Sequence, residues 1–176
     1  MKFAFALAAS LTLLACAAPQ PRDYSAQKPL LDMKTFFTGK VDGWGIVQDR
    51  SGKVTKRMVV EIAGTWNADV GTLDERFTYS DGSAETRVWT LRKSGNRYIG
   101  TALDVRGEAV GEAAGNALHW SYVLHARRDN GDTVDLDMDD WMWLVDERTM
   151  MNRTSFSKLG IRLGEVTFFF RRRDPR

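Results

Sequence analysis

Hydrophobic and polar residues alternate along most of this chain, from about residue 36 to its end. The alternating stretches are short and are separated by turn-forming residues every eight to twelve positions. A period of two is that of a half-buried β-strand, and this regular spacing is typical of a sandwich or barrel. Short connections force consecutive strands to pair antiparallel, and closure removes exposed sheet edges. The pattern therefore predicts an all-β protein, an up-and-down meander closing into a calycin- or lipocalin-like barrel of about 8–10 strands. The predicted strands are residues 43–49, 54–63, 72–80, 85–93, 97–103, 117–128, 133–138, 141–146, 149–157 and 164–173.

Two dipeptides mark predicted hairpins. Asp81-Gly82 and Asn130-Gly131 each lie between alternating stretches. These residues supply the positive φ angles of a two-residue hairpin loop. Each dipeptide is therefore predicted to join two neighbouring antiparallel strands.

Helical signals are few. Residues 30–37 are predicted to form one or two helical turns, with Asp32 as the N-terminal cap. Residues 106–116 contain three glycines and fit either a glycine-rich loop or a bent corner of the barrel. The helix content is therefore expected to be well below average.

The first residues have the layout of a secretory signal peptide. Lys2 precedes an apolar stretch over residues 3–15, which is too short for a permanent membrane span. Leu13-Leu14-Ala15-Cys16 resembles a bacterial lipobox, which predicts cleavage before Cys16 and acylation of its thiol. Acyl chains on Cys16 would anchor the protein to a membrane. The alternative is an ordinary signal peptide followed by a chance cysteine.

The anchor also suggests a location and a domain organisation. Cys16 is followed by alanine and not by aspartate, so in a host with two membranes we expect the outer membrane, on its periplasmic face. Residues 16–30 contain three of the four prolines and are predicted to be an extended, lipidated tether. The domains are then a signal peptide over 1–15, the tether over 16–30 and one barrel over 31–176.

Composition and motifs exclude several classes of protein. The formal net charge is only +2, which leaves no broad basic surface for nucleic acid. If the single cysteine carries lipid, none remains for a disulfide, a catalytic thiol or a thiolate metal site. Motifs of serine hydrolases, zinc proteases and phosphate-binding loops are missing from the sequence. We therefore expect no cofactor and a function other than catalysis.

Neither the histidines nor the acidic segment predicts a metal site. His119 and His125 share one strand face but would lie roughly 20 Å apart, and we expect both to point to solvent. Residues 129–147 carry eight acidic residues, yet a calcium loop starting at Asp135 would need glycine and glutamate where Asp140 and Asp146 stand. The acidic segment instead fits a strand whose outer face is charged.

Several charged residues fall on faces that otherwise look apolar. Glu75 and Arg87 alternate with aromatic and aliphatic residues, and pairing across the intervening turn would bring them together inside the barrel. Asn152 and Arg153 could complete this group. Asp140 falls on the apolar face of its strand, so either the strand bends there or a carboxyl points inward and needs a partner.

A polar group inside an aromatic-lined barrel is the usual arrangement of a ligand cavity, but buried ion pairs beside tryptophan also occur as purely structural features. The chain has six tryptophans, and both arrangements use such residues. The candidate ligand-binding residues are Trp44, Glu75, Arg87, Trp89, Trp120, Asp140, Trp141, Asn152 and Arg153.

Several short motifs are distributed along the chain and are distinctive in combination. They include Phe36-Phe37-Thr38-Gly39-Lys40, Gly43-Trp44-Gly45, Glu75-Arg76-Phe77, Arg87-Val88-Trp89, Asp104-Val105, Asp139-Asp140-Trp141-Met142 and Asn152-Arg153. This combination resembles the domain-of-unknown-function 3833 family of bacterial lipoproteins over roughly residues 30–172, and the family has no established activity. Its members look like lipocalin-type barrels and occur near fatty-acid-modifying functions, so the resemblance implies a lipid ligand.

Three functions remain open. The first is a non-enzymatic envelope lipoprotein whose barrel binds an apolar or acyl ligand, with Glu75, Arg87 or Arg153 orienting its polar end. A bound carboxylate would need an arginine that is not already paired. The second is an enzyme acting on a lipid-like substrate, with Asp140 or Glu75 as general acid or base. The third is a scaffold of the envelope without a cavity.

Overall fold

Ten antiparallel strands close into a barrel in the computed structural model, which describes residues 18–128 and 130–174. The predicted signal peptide over residues 1–15 and the predicted lipidation site Cys16 lie outside the described residues. The strands are β1 (Gly39–Asp49), β2 (Val54–Asn67), β3 (Val70–Tyr79), β4 (Ala84–Ser94), β5 (Arg97–Thr101), β6 (Val105–Ala114), β7 (Ala117–Arg127), β8 (Thr133–Leu144), β9 (Thr149–Lys158) and β10 (Ile161–Arg172).

Each strand pairs with its neighbours in sequence, and the first pairs with the last. Along β1 and β10 the register runs from Val41 opposite Arg172 to Asp49 opposite Gly164. Every strand of the described barrel thus has two neighbours, and no edge is left unpaired. The prediction of an all-β, up-and-down, lipocalin-like barrel is confirmed.

Two stretches differ from the list of predicted strands, and the number of strands remains ten. The predicted strands 133–138 and 141–146 are one continuous strand, β8. Of the two alternatives for Asp140, a bend or an inward carboxyl, the second is correct: Asp140 points inward and finds hydrogen-bond donors there, so the strand continues. Residues 106–116 form most of β6, whose register shifts between Arg106 and Val110. Of the two interpretations, the bent barrel corner applies.

The hairpin after β3 is longer than predicted. Tyr79 N donates to Ser83 O, and Gly82 N donates to Tyr79 O, so the loop contains three residues and not two. Within this loop, Gly82 is the one residue with a positive φ, of 85°. This is the three-residue hairpin with glycine in the left-handed conformation.

A short helix, α1 (Met33–Phe37), plugs one end of the barrel. Asp32 caps it as predicted, because its side chain accepts a hydrogen bond from Thr35 N at 3.1 Å. Met33, Phe36 and Phe37 are all buried. The plug covers the apolar side chains at this end of the core.

The segment before the plug lies against the outside of the barrel. It contains a 3-10 helix, Pro21–Tyr24, and the Tyr24 ring lies 5.7 Å from Trp141 and 6.4 Å from Trp143. Further along, Leu31 N donates to Gly115 O at 2.8 Å. Over these residues the predicted extended tether is therefore a docked segment, since Tyr24 packs on two indole rings of the outer face of β8. In the described part of the chain, no helix has the length and apolar character that crossing a membrane requires.

Candidate functional site

The barrel encloses a cavity of about 200 Å³ above the plug. Met33 and Phe37 of α1 form part of its lining, together with apolar residues from both halves of the barrel. Val47, Tyr79 and Leu124 line it toward the opposite end. The cavity is thus a mainly apolar space with one end occupied by protein.

Glu75 on β3 and Arg87 on β4 meet on the cavity wall. They occupy directly opposite positions in the antiparallel register. The sequence predicted that they lie close together, but their direct opposition follows from the three-residue loop, since a two-residue loop would have placed Val88 opposite Glu75. Arg87 Nη1 lies 3.9 Å from Glu75 Oε2. The stronger partner is Asp104, in the corner before β6: Arg87 Nη2 lies 2.8 Å from Oδ2, and Nε lies 2.9 Å from Oδ2 and 3.1 Å from Oδ1. The guanidinium is therefore already held by a carboxylate.

Asp140 on β8 is the second carboxyl on the cavity wall and is 5% exposed. Trp120 Nε1 donates to its Oδ2 at 3.2 Å, and Asn152 Nδ2 donates to its Oδ1. Trp120 and Thr154 occupy the register positions on either side of Asp140. These donors satisfy a carboxyl that would otherwise be costly to bury.

Burial raises the pKa of both cavity carboxyls, Glu75 and Asp140, toward neutral pH. It raises the pKa of Glu75 from its ordinary value of 4.5 to about 7, against the attraction of Arg87. It raises the pKa of Asp140 from 3.8 to about 6, against the hydrogen bonds that favour the charged form. Carboxyls with such values in a cavity are typical of functional sites, although buried structural networks also produce them.

Aromatic rings form the wall around these groups. The ring centroids of Trp89 and Trp120 are 5.1 Å apart, and Tyr122 meets Trp89 edge-on at 5.4 Å. Burial also raises the pKa of the Tyr122 phenol. The Tyr122 hydroxyl lines the cavity, and no hydrogen bond to it is seen from the described residues. It can therefore meet a ligand without losing a protein partner.

The structure brings six of the nine predicted ligand-binding residues to the cavity wall. These are Glu75, Arg87, Trp89, Trp120, Asp140 and Asn152. Their role in binding remains a prediction.

The interior placement of the other three residues was wrong, because strand alternation turns each of them outward. Trp44 is 47% exposed and packs on Phe169 of the outer surface. Trp141 is covered by Tyr24 outside the barrel. Arg153 is next to inward-facing Asn152 and therefore points the other way, over the Trp143 ring.

The sequence did not single out three further residues of the site. Tyr122 and Thr154 lie two positions from Trp120 and Asn152, so the period of two could have found them. Asp104 lies in a corner between strands, where alternation gives no signal.

The histidines and most of the acidic segment lie on the outer face. His119 Nε2 lies 2.8 Å from Asp139 Oδ1, and His125 Nδ1 lies 2.6 Å from Asp135 Oδ1. Among residues 18–128 and 130–174, no group of three or more potential ligands could hold a metal ion. Each histidine instead pairs with an acid of the neighbouring strand.

The stability of the protein should fall by about 2 kcal/mol between about pH 5 and pH 8. Glu75 has a raised pKa, so the folded state binds its proton more tightly than the unfolded state. That advantage is lost as the pH rises from the unfolded value, near 4.5, through the folded value of about 7. Urea unfolding at several pH values measures this slope. Glu75→Gln should reduce this slope, with a remainder from Asp140, whose pKa is also raised, and the exposed control Glu108→Gln should leave it unchanged. An equal slope in both variants would contradict the assignment.

The closed ten-stranded architecture belongs to the class of lipocalin-like β-barrels. The model of one family, described as "Protein of unknown function (DUF3833)", matches residues 10–172. The chain therefore belongs to this family, as the short motifs indicated.

Solved structures share the fold at low sequence identity. A protein of unknown function from the DUF3598 family of Nostoc punctiforme superimposes with a TM-score of 0.58 at 13% identity, over 84% of this chain and 51% of that one. This chain thus spans about half of that protein. The S-type phycobiliprotein lyase CPES from Guillardia theta gives a TM-score of 0.53 at 10% identity, over 89% of this chain and 100% of the lyase. At these identities the likeness concerns the fold alone. Among curated proteins, none matches this sequence.

Proposed function

We propose that this protein is a lipid-anchored envelope protein whose barrel binds an apolar or acyl ligand without chemically changing it. The observation that carries the proposal is the cavity, whose lining combines aromatic side chains with a few polar side chains. That combination is the general design of small-molecule sites. The lipobox-like sequence ending at Cys16 supports the anchor and, with alanine at position 17, the periplasmic face of an outer membrane.

The cavity suggests how such a ligand would lie. Its apolar part would occupy the space near Met33, Phe37 and Phe168, and its polar end would meet Glu75 and Tyr122. Because α1 occupies one end, entry would be from the other. A volume of about 200 Å³ is below the usual 300–1,000 Å³ of ligand pockets. The ligand would therefore be slender or short, or would extend out of the barrel.

The state of the polar groups favours binding over catalysis. Asp140 is held by Trp120 and Asn152, and Arg87 is held by Asp104. A general acid or base must be free to reach the reacting group of a substrate. Glu75 is held less firmly, by a hydrogen bond from Trp89 and by Arg87 at 3.9 Å. Each of these groups therefore has a partner within the protein.

Native mass spectrometry of the Cys16→Ser protein, purified from bacteria without detergent, tests the proposal. We expect an extractable apolar ligand bound in a fixed ratio. Leu124→Trp should abolish its retention, because the larger ring would fill the cavity that Leu124 lines. Val88→Trp adds the same ring on the exposed outer face and should retain the ligand. If apolar probes added to the ligand-free protein also fail to bind, the scaffold function replaces this proposal.

The anchor is tested separately by cell fractionation. The wild-type protein should sediment with membranes, and Cys16→Ser should move to the soluble periplasmic fraction, since acyl chains provide the attachment. A similar conservative change on the barrel surface, Ser121→Ala, should leave the distribution unchanged. An unaltered membrane fraction for Cys16→Ser would exclude attachment through this residue.

A further inference from the structure

The charges of the cavity wall determine which polar end a ligand can carry. Among the described residues that line the cavity, Arg87 is the single cation, whereas Glu75 and Asp140 are both carboxyls. Arg87 is also bonded through two nitrogens to Asp104. The wall therefore carries more acidic than basic groups.

A ligand carboxylate would find no available arginine. To bind Arg87 it would have to displace Asp104 from a short, two-nitrogen interaction, which is the strong geometry of such pairs. Arg153, the other arginine considered from the sequence, points out of the barrel. A carboxylate placed inside would also lie beside Glu75 and Asp140, where like charges repel.

Acceptor capacity, in contrast, is available. The guanidinium of Arg87 is 3.9 Å from Glu75, too far for a hydrogen bond. Trp89 donates one hydrogen bond to Glu75, and a carboxylate can accept several, so acceptor positions remain. The nearby Tyr122 hydroxyl faces the same cavity without a hydrogen bond from the described residues and can also accept one. The Tyr122 ring and its aromatic neighbours provide faces that attract cations. The charge of the wall, its free acceptor positions and its ring surfaces thus all favour a ligand whose polar end is a cation or a hydrogen-bond donor.

We propose that the cavity selects apolar ligands whose polar end is a cation or a hydrogen-bond donor, with an aliphatic amine as the simplest case, over ligands that end in a carboxylate. This inference rests on the proposed binding function of the same cavity. It narrows the ligand from any acyl compound to one that carries a donor group. Glu75 is the principal acceptor, and Asp140, which already has donors, supplies additional negative potential.

Three probes with the same eight-carbon chain test the selection: octylamine, octanol and octanoate. Their binding to the Cys16→Ser protein at about pH 7.5 can be followed by calorimetry and by the fluorescence of the cavity tryptophans. We expect octylamine to bind about tenfold more tightly than octanol, and octanoate to bind more weakly than octanol. Glu75→Gln should remove the advantage of the amine while preserving the affinity for octanol. The exposed Glu108→Gln should preserve both.

The possible outcomes distinguish a failure of the proposed selection for amines from a failure of the proposed binding function. If octanol and the other probes all fail to bind, the proposed function itself is wrong. If octanol binds and octanoate binds as tightly as octylamine or more tightly, the selection is wrong while the binding function stands. The ranking of the three probes on a protein with an unaltered cavity decides this even if Glu75→Gln fails to fold.

Discussion

Replacing Arg87 with methionine should lower the free energy of unfolding by about 2–3 kcal/mol at pH 8, less than for a fully buried pair because the Asp104 side chain is 36% exposed. The guanidinium stands between two carboxyls, with Asp104 at 2.8 Å and Glu75 at 3.9 Å. Methionine retains much of the apolar stem but leaves both carboxyls without their cation in a confined space. Breaking a buried charge group by removing one partner is among the most destabilising single changes.

Denaturant unfolding with a matched arginine variant measures this effect. Arg76 lies on the same hairpin, is largely exposed and is 3.6 Å from Asp74, so Arg76→Met should change stability by less than about 0.5 kcal/mol. Adding Glu75→Gln to the Arg87→Met variant should recover part of the loss, because it removes one of the two stranded carboxyls. Equal losses for Arg87→Met and Arg76→Met would show that the interior pair contributes little.

Gly64→Ala should destabilise the protein by about 3 kcal/mol, the upper end of the range for overpacking. A Cβ atom at this position would lie 1.7 Å from the carbonyl oxygen of Phe37, at the end of α1. The obstacle is backbone, so a side-chain rotation cannot relieve it. Either the helical plug must move out of the barrel or β2 must move away from it.

Thermal unfolding of Gly64→Ala and of Thr65→Ala distinguishes this contact from a general effect of changing β2. Thr65 is the exposed neighbour, and its replacement should change stability by about 0.5 kcal/mol or less. Unaltered stability in Gly64→Ala would mean that the plug moves at little cost. In that case the closed end of the cavity would not be held firmly by α1.

The parts of the fold that the sequence predicts are those governed by local periodicity. Alternation predicts most of the strands and their faces, and pairing across the turn after β3 predicts that Glu75 and Arg87 lie close together. Their direct opposition depends on the three-residue loop, which the dipeptide did not predict. The same reasoning fails where a tertiary partner overrides the pattern. Alternation left a bend or an inward carboxyl open for Asp140, because the donors that decide between them, Trp120 and Asn152, come from other strands.

In the candidate site, too, local periodicity predicts some residues and tertiary contacts determine others. Tyr122 and Thr154 were within reach of a stricter use of alternation, whereas Asp104 was not. Asp104 occupies a corner, and its role arises only because the closed barrel brings that corner to Arg87. Arg153 was assigned to the interior for its chemistry although its neighbour Asn152 faces inward, and adjacent residues of a strand point to opposite sides.

If Cys16 carries the predicted lipid, the docked N-terminal segment limits how far the barrel can lie from a membrane. Between a lipid-bearing Cys16 and Gln20, just before the 3-10 helix, four residues can span at most about 14 Å. Because Tyr24 is fixed against Trp141 and Trp143, the following residues add nothing to this reach. A lipidated protein would consequently stay close to the lipid headgroups. The short connection would hold the β7–β8 wall nearest the anchor. Encounters with ligands would then take place at the bilayer surface and not across the depth of the periplasm.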